Sequence, residues 1–237
     1  ISPCVKRQIE VVAGDIRDQE QLMKSVLHCD VVFHLAALIA IPYSYQAPSA
    51  FVATNMMGTL NVLNAAREAN VDLFIQTSTS EVYGSAQFVP ITEEHPLVGQ
   101  SPYSASKIGA DQMAIAYHRS FEVPVCVLRP FNTYGPRQSA RAIIPTIITQ
   151  ILQGKKEIEL GALAPTRDFN YVQDTVNGFL SVLGNQKVIG EVINIGSNFE
   201  ISIEETVNTI KHVMGSDVEV VTSARRIRPQ NSEVDRL

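Results

Sequence analysis

The chain has 237 residues, 45% of them hydrophobic, and carries 19 Lys and Arg against 24 Asp and Glu for a net charge of −5. That length and balance suit one large domain, or a main domain with a smaller lobe, around a sizeable core; they exclude disorder, and without a Lys/Arg run they argue against a nucleic-acid partner. No apolar stretch approaches the roughly 20 residues of a membrane span, residues 1–10 lack a signal-peptide pattern, and Cys4, Cys29 and Cys126 form an odd set without metal-ligand spacing. The sequence therefore predicts a cytoplasmic protein with no membrane anchor and no metal. Cys29 and Cys126 sit in or beside apolar runs, where a thiol behaves as a small hydrophobe.

Short β-branched runs alternate with longer segments of helical period, the pattern of βαβ units around a parallel sheet. In order, the reading gives a strand at 9–13, a helix at 19–27, a strand at 30–35, one long helix over 49–70, a strand at 72–77, a helix at 102–121 and a strand at 123–129. The texture then turns polar and Pro-punctuated from Pro130 to Ala142, which marks a boundary. Beyond it come helices near 143–153, 173–183 and 203–214, with strands near 157–160, 192–195 and 218–221. The expected architecture is a doubly wound parallel-sheet domain over 1–135 and a smaller α/β lobe over 136–237, with 170–195 returning to the main domain. Such a fold ordinarily opens on a glycine-rich turn that cradles a pyrophosphate. Gly14 follows a strand but has no glycine partners, so at least one βαβ unit, about 30 residues or more, is expected to precede Ile1.

Two segments carry the chemistry. Thr77-Ser78-Thr79-Ser80-Glu81-Val82-Tyr83-Gly84 follows a strand, and Tyr103-Ser104-Ala105-Ser106-Lys107 lies on the next helix. In an open parallel sheet, ligands bind beyond the carboxyl ends of the strands, which places the first segment at the site. Tyr103 and Lys107, four apart, share a helix face, and an ammonium beside a phenol is expected to lower its pKa from about 10 and make it a usable base. Thr79 can position the same substrate hydroxyl. A lone Tyr-x-x-x-Lys is usually a solvated pair and a lone Ser/Thr cluster usually turn chemistry; their order and placement together carry the signal.

At these residues the chain resembles the extended short-chain dehydrogenase/reductase family, within the NAD-dependent nucleotide-sugar epimerases and dehydratases. The resemblance implies a Rossmann-like domain, NAD as cofactor, a nucleotide sugar as substrate, and a homodimer formed through a four-helix bundle of the 49–70 and 102–121 helices. It implies adenine contacts from Asp15 and Ile16, a turn under the cofactor at Leu35, Ala36 and Ala37, and cofactor contacts from Asn55, Tyr103, Lys107 and Pro130. It places substrate contacts at Asn132, Arg167, Arg228 and Glu233, with Arg167 and Arg228 toward the diphosphate and Glu233 toward the ribose. Catalysis falls to Thr79, Ser80, Glu81, Tyr103 and Lys107.

Glu81 bears on the reaction, since a 4-epimerase needs no acid there. A carboxylate after Thr79 resembles the base of the 4,6-dehydratases, which removes the C5 proton once C4 is a ketone. Ser80-Glu81 also resembles the UDP-glucuronate decarboxylases, and a 4-epimerase or an inactive truncated fragment stay as alternatives. The wording from Tyr43-Ser44-Tyr45 to Pro165-Thr166-Arg167-Asp168-Phe169-Asn170-Tyr171 most resembles dehydratases of UDP- or GDP-linked N-acetylglucosamine in legionaminic-type sugar pathways.

Overall fold

The computed structural model describes residues 3–237. Its helices are α1 (Pro3–Lys6), α2 (Gln19–Val26), α3 (Ile41–Gln46), α4 (Pro48–Phe51), α5 (Gly58–Ala69), α6 (Pro102–Phe121), α7 (Ile143–Leu152), α8 (Val172–Ser181) and α9 (Ile203–Met214). The strands are β1 (Val31–His34), β2 (Leu73–Thr77), β3 (Val125–Pro130), β4 (Asn132–Tyr134), β5 (Glu157–Leu160), β6 (Thr166–Tyr171), β7 (Val192–Ile195), β8 (Glu200–Ser202) and β9 (Glu219–Thr222). A π-helical turn spans Val52–Met57 and a 3₁₀ turn spans Ser80–Tyr83.

The main sheet has the order β1-β2-β3-β7, every pair parallel. Because side chains alternate along a strand, Phe74, Val125 and Val127 pack with Val62, Leu63, Ala66, Ala114 and Tyr117 of α5 and α6. Their neighbours Leu73, Ile75, Cys126 and Leu128 pack on the other face with Phe179 of α8 and Val182. Both faces are therefore covered, which explains why Leu73-Phe74-Ile75 of β2 and Val125-Cys126-Val127-Leu128 of β3 read as unbroken apolar runs rather than alternating ones. Burying a side chain such as Phe74 or Ile75 contributes on the order of 1.5–3 kcal/mol. Alternation also sets the site: Gln76 and Ser78 continue the Phe74 side of β2, and Arg129 continues the Val127 side of β3, so these polar residues lie under α6.

The remaining strands form a three-stranded sheet, β4-β6-β8, and a two-stranded sheet, β5-β9. Ile147 of α7 and Ile203 and Val207 of α9 pack with Ile158, Leu160 and Val218 around a separate core.

Several expectations are corrected. Residues 9–13 form no strand: Val11 is 88% exposed and no described strand lies alongside to take its backbone hydrogen bonds. The helix expected over 49–70 is interrupted by the π-helical turn, where Thr59 Oγ1 donates to the Asn55 carbonyl (2.6 Å) and the Asn55 side chain is anchored elsewhere. The polar stretch after Pro130 contains β4, and Thr166–Tyr171 is a strand despite its polar residues, because β4 and β8 flank it. Cys126 is buried, and burial pushes its thiol up to about 11, whereas Cys29 is exposed, with its thiol 3.7 Å from the Ser25 carbonyl. Among the described residues no helix is long and apolar enough to cross a membrane, and no cluster of His, Cys, Asp and Glu could hold a metal ion.

His34 closes β1 in a buried position, 2.9 Å from Thr59 Oγ1. Since the Thr59 proton goes to the Asn55 carbonyl, His34 Nε2 is the donor. Burial, aided by the Lys107 charge, holds its pKa down at about 3, against an ordinary 6.5. Below pH 6.5 the unfolded chain binds a proton that the folded chain refuses, so this contribution is lost as pH falls from about 6.5 toward 3, at about 1.4 kcal/mol per pH unit. Urea unfolding of His34→Gln between pH 6.5 and 4 should show a stability that falls less steeply with pH than the wild type; identical slopes would exclude His34 as the source.

Candidate active site

Helix α6 starts with a reciprocal cap: Ser104 N donates to Ser101 Oγ (3.1 Å) and Ser101 N to Ser104 Oγ (3.0 Å), with Pro102 in the first turn. This fixes Tyr103 at the helix start and Lys107 one turn later. Tyr103 is buried against Phe51, their rings edge to face at 6.3 Å. Lys107, also buried, donates from Nζ to the Thr77 carbonyl at the end of β2 (2.5 Å). Thr79 caps the 3₁₀ turn by accepting from Glu81 N (3.2 Å), and its hydroxyl also hydrogen-bonds Tyr103. The structure thus brings Thr79, Tyr103 and Lys107 together at the carboxyl ends of parallel strands, with Ser80 and Glu81 buried in the adjoining turn.

The expected lowering of the Tyr103 pKa by Lys107 is not what this arrangement produces. Burial raises the phenol strongly, Glu81 and Asp111 raise it further, and the Thr79 hydrogen bond is the opposing influence. Lys107 is itself lowered by burial, against the pull of Asp111. The ammonium is directed to a backbone carbonyl, so its field does not offset the desolvation of the phenol.

At the other end, four charged residues gather from distant parts of the sequence. Arg167 on β6 donates from Nη1 to the carbonyls of Val234 and Thr166 (both 2.8 Å) and from Nη2 to Glu233 Oε1 (3.4 Å). Arg228 Nη1 lies 3.7 Å from Glu233 Oε1 and 3.8 Å from Glu81 Oε1, and that nitrogen is buried without a hydrogen-bond partner. Burial lowers the Arg167 pKa, with Glu81 and Glu233 pulling it back up. Arg167 does not pair with its neighbour Asp168, which instead accepts from Ser197 N, Ser197 Oγ, Asn198 N and Asn170 Nδ2. The segment carrying Glu233 is tied down by Gln100 Nε2 on the Glu233 carbonyl (3.0 Å), Asp235 N on Ser85 Oγ (2.9 Å) and Tyr45 with Ser232 (2.6 Å). Asn132 opens β4, its Oδ1 buried without a partner, and Pro130 closes β3.

The other predicted site residues lie along the β1 side. Asn55 accepts from Leu38 N (2.8 Å) and donates to the Leu38 carbonyl (2.9 Å) and Ser106 Oγ (2.9 Å), which joins the turn after β1 to the residue beside Lys107. Leu35 and Ala36 are exposed, and Ala37 is half-buried. Asp15 is exposed and paired with Arg17, which holds its carboxyl down at about 2, while Ile16 packs against Gly58, where a Cβ would come within 2.5 Å of its side chain.

A second buried group was missed by sequence reasoning. Asp111 Oδ2 accepts from Ser78 Oγ (2.6 Å) and Arg129 Nε (3.3 Å). Arg129 Nη1 donates to Tyr83 Oη (3.0 Å), which in turn donates to Asn194 Oδ1 (2.7 Å). The available signal was an arginine ending the apolar run Val125-Cys126-Val127-Leu128, which demands a buried counter-charge.

The sequence profile of the GDP-mannose 4,6-dehydratase family matches residues 2–237. The chain belongs to this family. Among its relatives, the low-salt glycan biosynthesis protein Agl12 of Haloferax volcanii is 38% identical over 204 residues, covering 86% of this chain and 66% of that protein. A dTDP-glucose 4,6-dehydratase of Actinoplanes sp. is 37% identical over 205 residues, covering 86% of this chain and 64% of that protein. The chain thus spans just under two thirds of the length of these relatives. The crystal structure of DesIV, a dTDP-glucose 4,6-dehydratase from Streptomyces venezuelae determined with NAD bound, superposes with a TM-score of 0.88 at 33% identity, covering 95% of this chain and 69% of that one. The parallel-sheet Rossmann-like architecture is therefore that of the extended dehydratase group.

Because Arg129 and Asp111 are almost fully buried, removing one partner leaves the other uncompensated. Arg129→Gln should lower the unfolding free energy by about 3–5 kcal/mol, and Tyr83→Phe by about 1 kcal/mol. Chemical denaturation measures both, and a loss under 1 kcal/mol for Arg129→Gln would show that the pair is not a keystone.

Proposed function

We propose that this protein is an NAD-dependent nucleotide-sugar 4,6-dehydratase that converts UDP- or GDP-linked N-acetylglucosamine to a 4-keto-6-deoxy sugar. The observation that carries the reading is the position of Glu81, in the turn capped by Thr79 beside Tyr103 and within 3.8 Å of Arg228. A general base and two arginines able to grip a diphosphate thus meet at one point. Residues 1–135, joined by the returning segment 170–195, serve as the cofactor domain, and the rest of 136–237 as the substrate lobe.

The residues fit NAD at two of the three places it must be held. Lys107 keeps two N–H donors beyond the one given to Thr77, Thr77 Oγ1 is buried without a partner at the same strand end, and small side chains follow β1 at Ala36 and Ala37. Asp15 and Ile16 stand on the adenine side. The chain has no glycine-rich turn for the pyrophosphate. Held there, NAD would supply reversible hydride-transfer chemistry.

Tyr103 accepts the proton of the C4 hydroxyl, which Thr79 orients, and the Lys107 ammonium, held by the Thr77 carbonyl, turns its remaining N–H donors to the cofactor ribose. Once C4 is a ketone, Glu81 removes the acidified C5 proton and delivers it to the departing C6 hydroxyl, which leaves as water. Arg167 and Arg228 hold the diphosphate by charge-assisted hydrogen bonds, Glu233 holds the ribose and Asn132 the sugar. The exposed apolar residues Val52 and Met57 of the π-helical turn and Phe121 at the end of α6 support a homodimer through this helical layer, which light scattering tests directly.

The substrate is tested by offering UDP- and GDP-N-acetylglucosamine, dTDP-glucose and UDP-glucuronate, and weighing the products. Loss of one water from an acetamido sugar is expected. Loss of water from dTDP-glucose alone would move the substrate to that of the relatives, and loss of carbon dioxide from UDP-glucuronate would replace the reaction. Tyr103→Phe should cut single-turnover C4 oxidation by at least about 10²-fold. Glu81→Gln should keep C4 oxidation and stop release of water, so that the oxidised sugar accumulates; unchanged dehydration in Glu81→Gln would remove Glu81 from the mechanism.

A further inference from the structure

The Ser78, Asp111 and Arg129 group takes no part in the steps above, yet it adjoins the residues that do. Asp111 lies one helical turn beyond Lys107 on α6 and is fully buried. Its Oδ2 holds Ser78 and Arg129, while its Oδ1 is buried without a hydrogen-bond partner. Lys107 is 4% exposed and makes no ion pair among the described residues; its ammonium is held by the Thr77 carbonyl, one residue before Ser78. A buried ammonium on one neutral acceptor sheds its proton unless a counter-charge lies near. The same carboxylate therefore answers two needs of one side chain, charge and place.

We propose that Asp111 is a positioning residue for Lys107: its buried carboxylate keeps the lysine an ammonium and, by gripping Ser78, holds the Thr77 carbonyl against it. The importance of the result rests on the reading of Lys107 given above, but the contacts themselves do not. The charged and titratable groups facing this carboxylate are Lys107 and Tyr103 on its own helix and Arg129 from β3, with Glu81 of the 3₁₀ turn facing Tyr103 and His34 of β1 facing Lys107. Asp111 draws the Lys107 pKa up and pushes the Tyr103 pKa up. Removing its charge should therefore move both titrations to lower pH, a common displacement that losing a hydrogen bond does not produce.

The test uses 13C NMR of the Lys107 Cε, assigned by its disappearance in Lys107→Met, titrated in the full chain as wild type, Asp111→Asn and Ser78→Ala. The expected result is a Lys107 midpoint at lower pH in Asp111→Asn, with a smaller change in Ser78→Ala despite a lowered Tm. In the active protein, both limbs of the pH–rate profile of Asp111→Asn should move to lower pH. An unmoved Lys107 midpoint in folded Asp111→Asn, or equal shifts in the two variants, would reduce Asp111 to a structural tie and overturn the proposal. If Asp111→Asn does not fold, Asp111→Asn/Lys107→Met is compared with Asp111→Asn/Arg129→Gln. Folding restored by removing Lys107 supports the proposal; restoration only by removing Arg129, or by neither, overturns it. The NMR midpoint is independent of turnover, so a negative result here is distinct from failure of the Tyr103→Phe and Glu81→Gln assays.

Discussion

A single buried carboxylate fastens the three elements from which the site is built. Asp111 lies on α6, grips Ser78 at the end of β2 and pairs with Arg129 on β3. Because strand alternation puts Ser78 and Arg129 on the face covered by α6, the contact is possible only in the observed register, Gln76 opposite Val127 and Thr77 opposite Leu128. A slip of β3 by one residue would turn Arg129 to the α8 face, beside Ile75 and Phe179 and away from Asp111. The pair thus specifies the register besides contributing to stability.

Charge is distributed across the site in two buried groups of opposite purpose. Around Lys107, Asp111 and Arg129 the charges are fixed by short contacts inside the fold. Around Glu81, Arg167, Arg228 and Glu233 the separations are longer, 3.4–3.8 Å, and one guanidinium nitrogen lacks a hydrogen-bond partner. In the first group the unpartnered atom is a carboxylate oxygen, Asp111 Oδ1; in the second it is a guanidinium nitrogen, Arg228 Nη1.

The alternation of strands and helices made the main sheet legible in the sequence, as the Tyr103 and Lys107 spacing made the shared face of α6. The expected helix at 102–121 coincides with α6, since a capping serine, a first-turn proline and a glutamate in left-handed conformation at Glu122 delimit it. What could not be read lay in tertiary context. The Asn55 anchors that accompany the π-helical turn reach Leu38 and Ser106, 17 and 51 residues away. The strand Thr166–Tyr171 has too many polar residues for a periodicity argument, and residues 9–13 have a strand's composition without a described partner to pair with. The gathering of Arg167, Arg228 and Glu233 with Glu81 followed only from family resemblance, because no local pattern announces contacts across more than 60 residues. The Tyr103 phenol shows the limit of spacing arguments: a lysine four residues away shares its face, but desolvation decides its titration.

The mouth of the site is laced by contacts that span 133, 150 and 187 residues, from Gln100 to Glu233, Ser85 to Asp235 and Tyr45 to Ser232. Closing loops of that length carries an entropy cost that local contacts do not repay, whereas each parallel strand pair with its crossover helix closes over a shorter span. Loop closure therefore weighs less on the sheet and α6 than on the arginine and glutamate cluster, which has the longest stretches of chain to order.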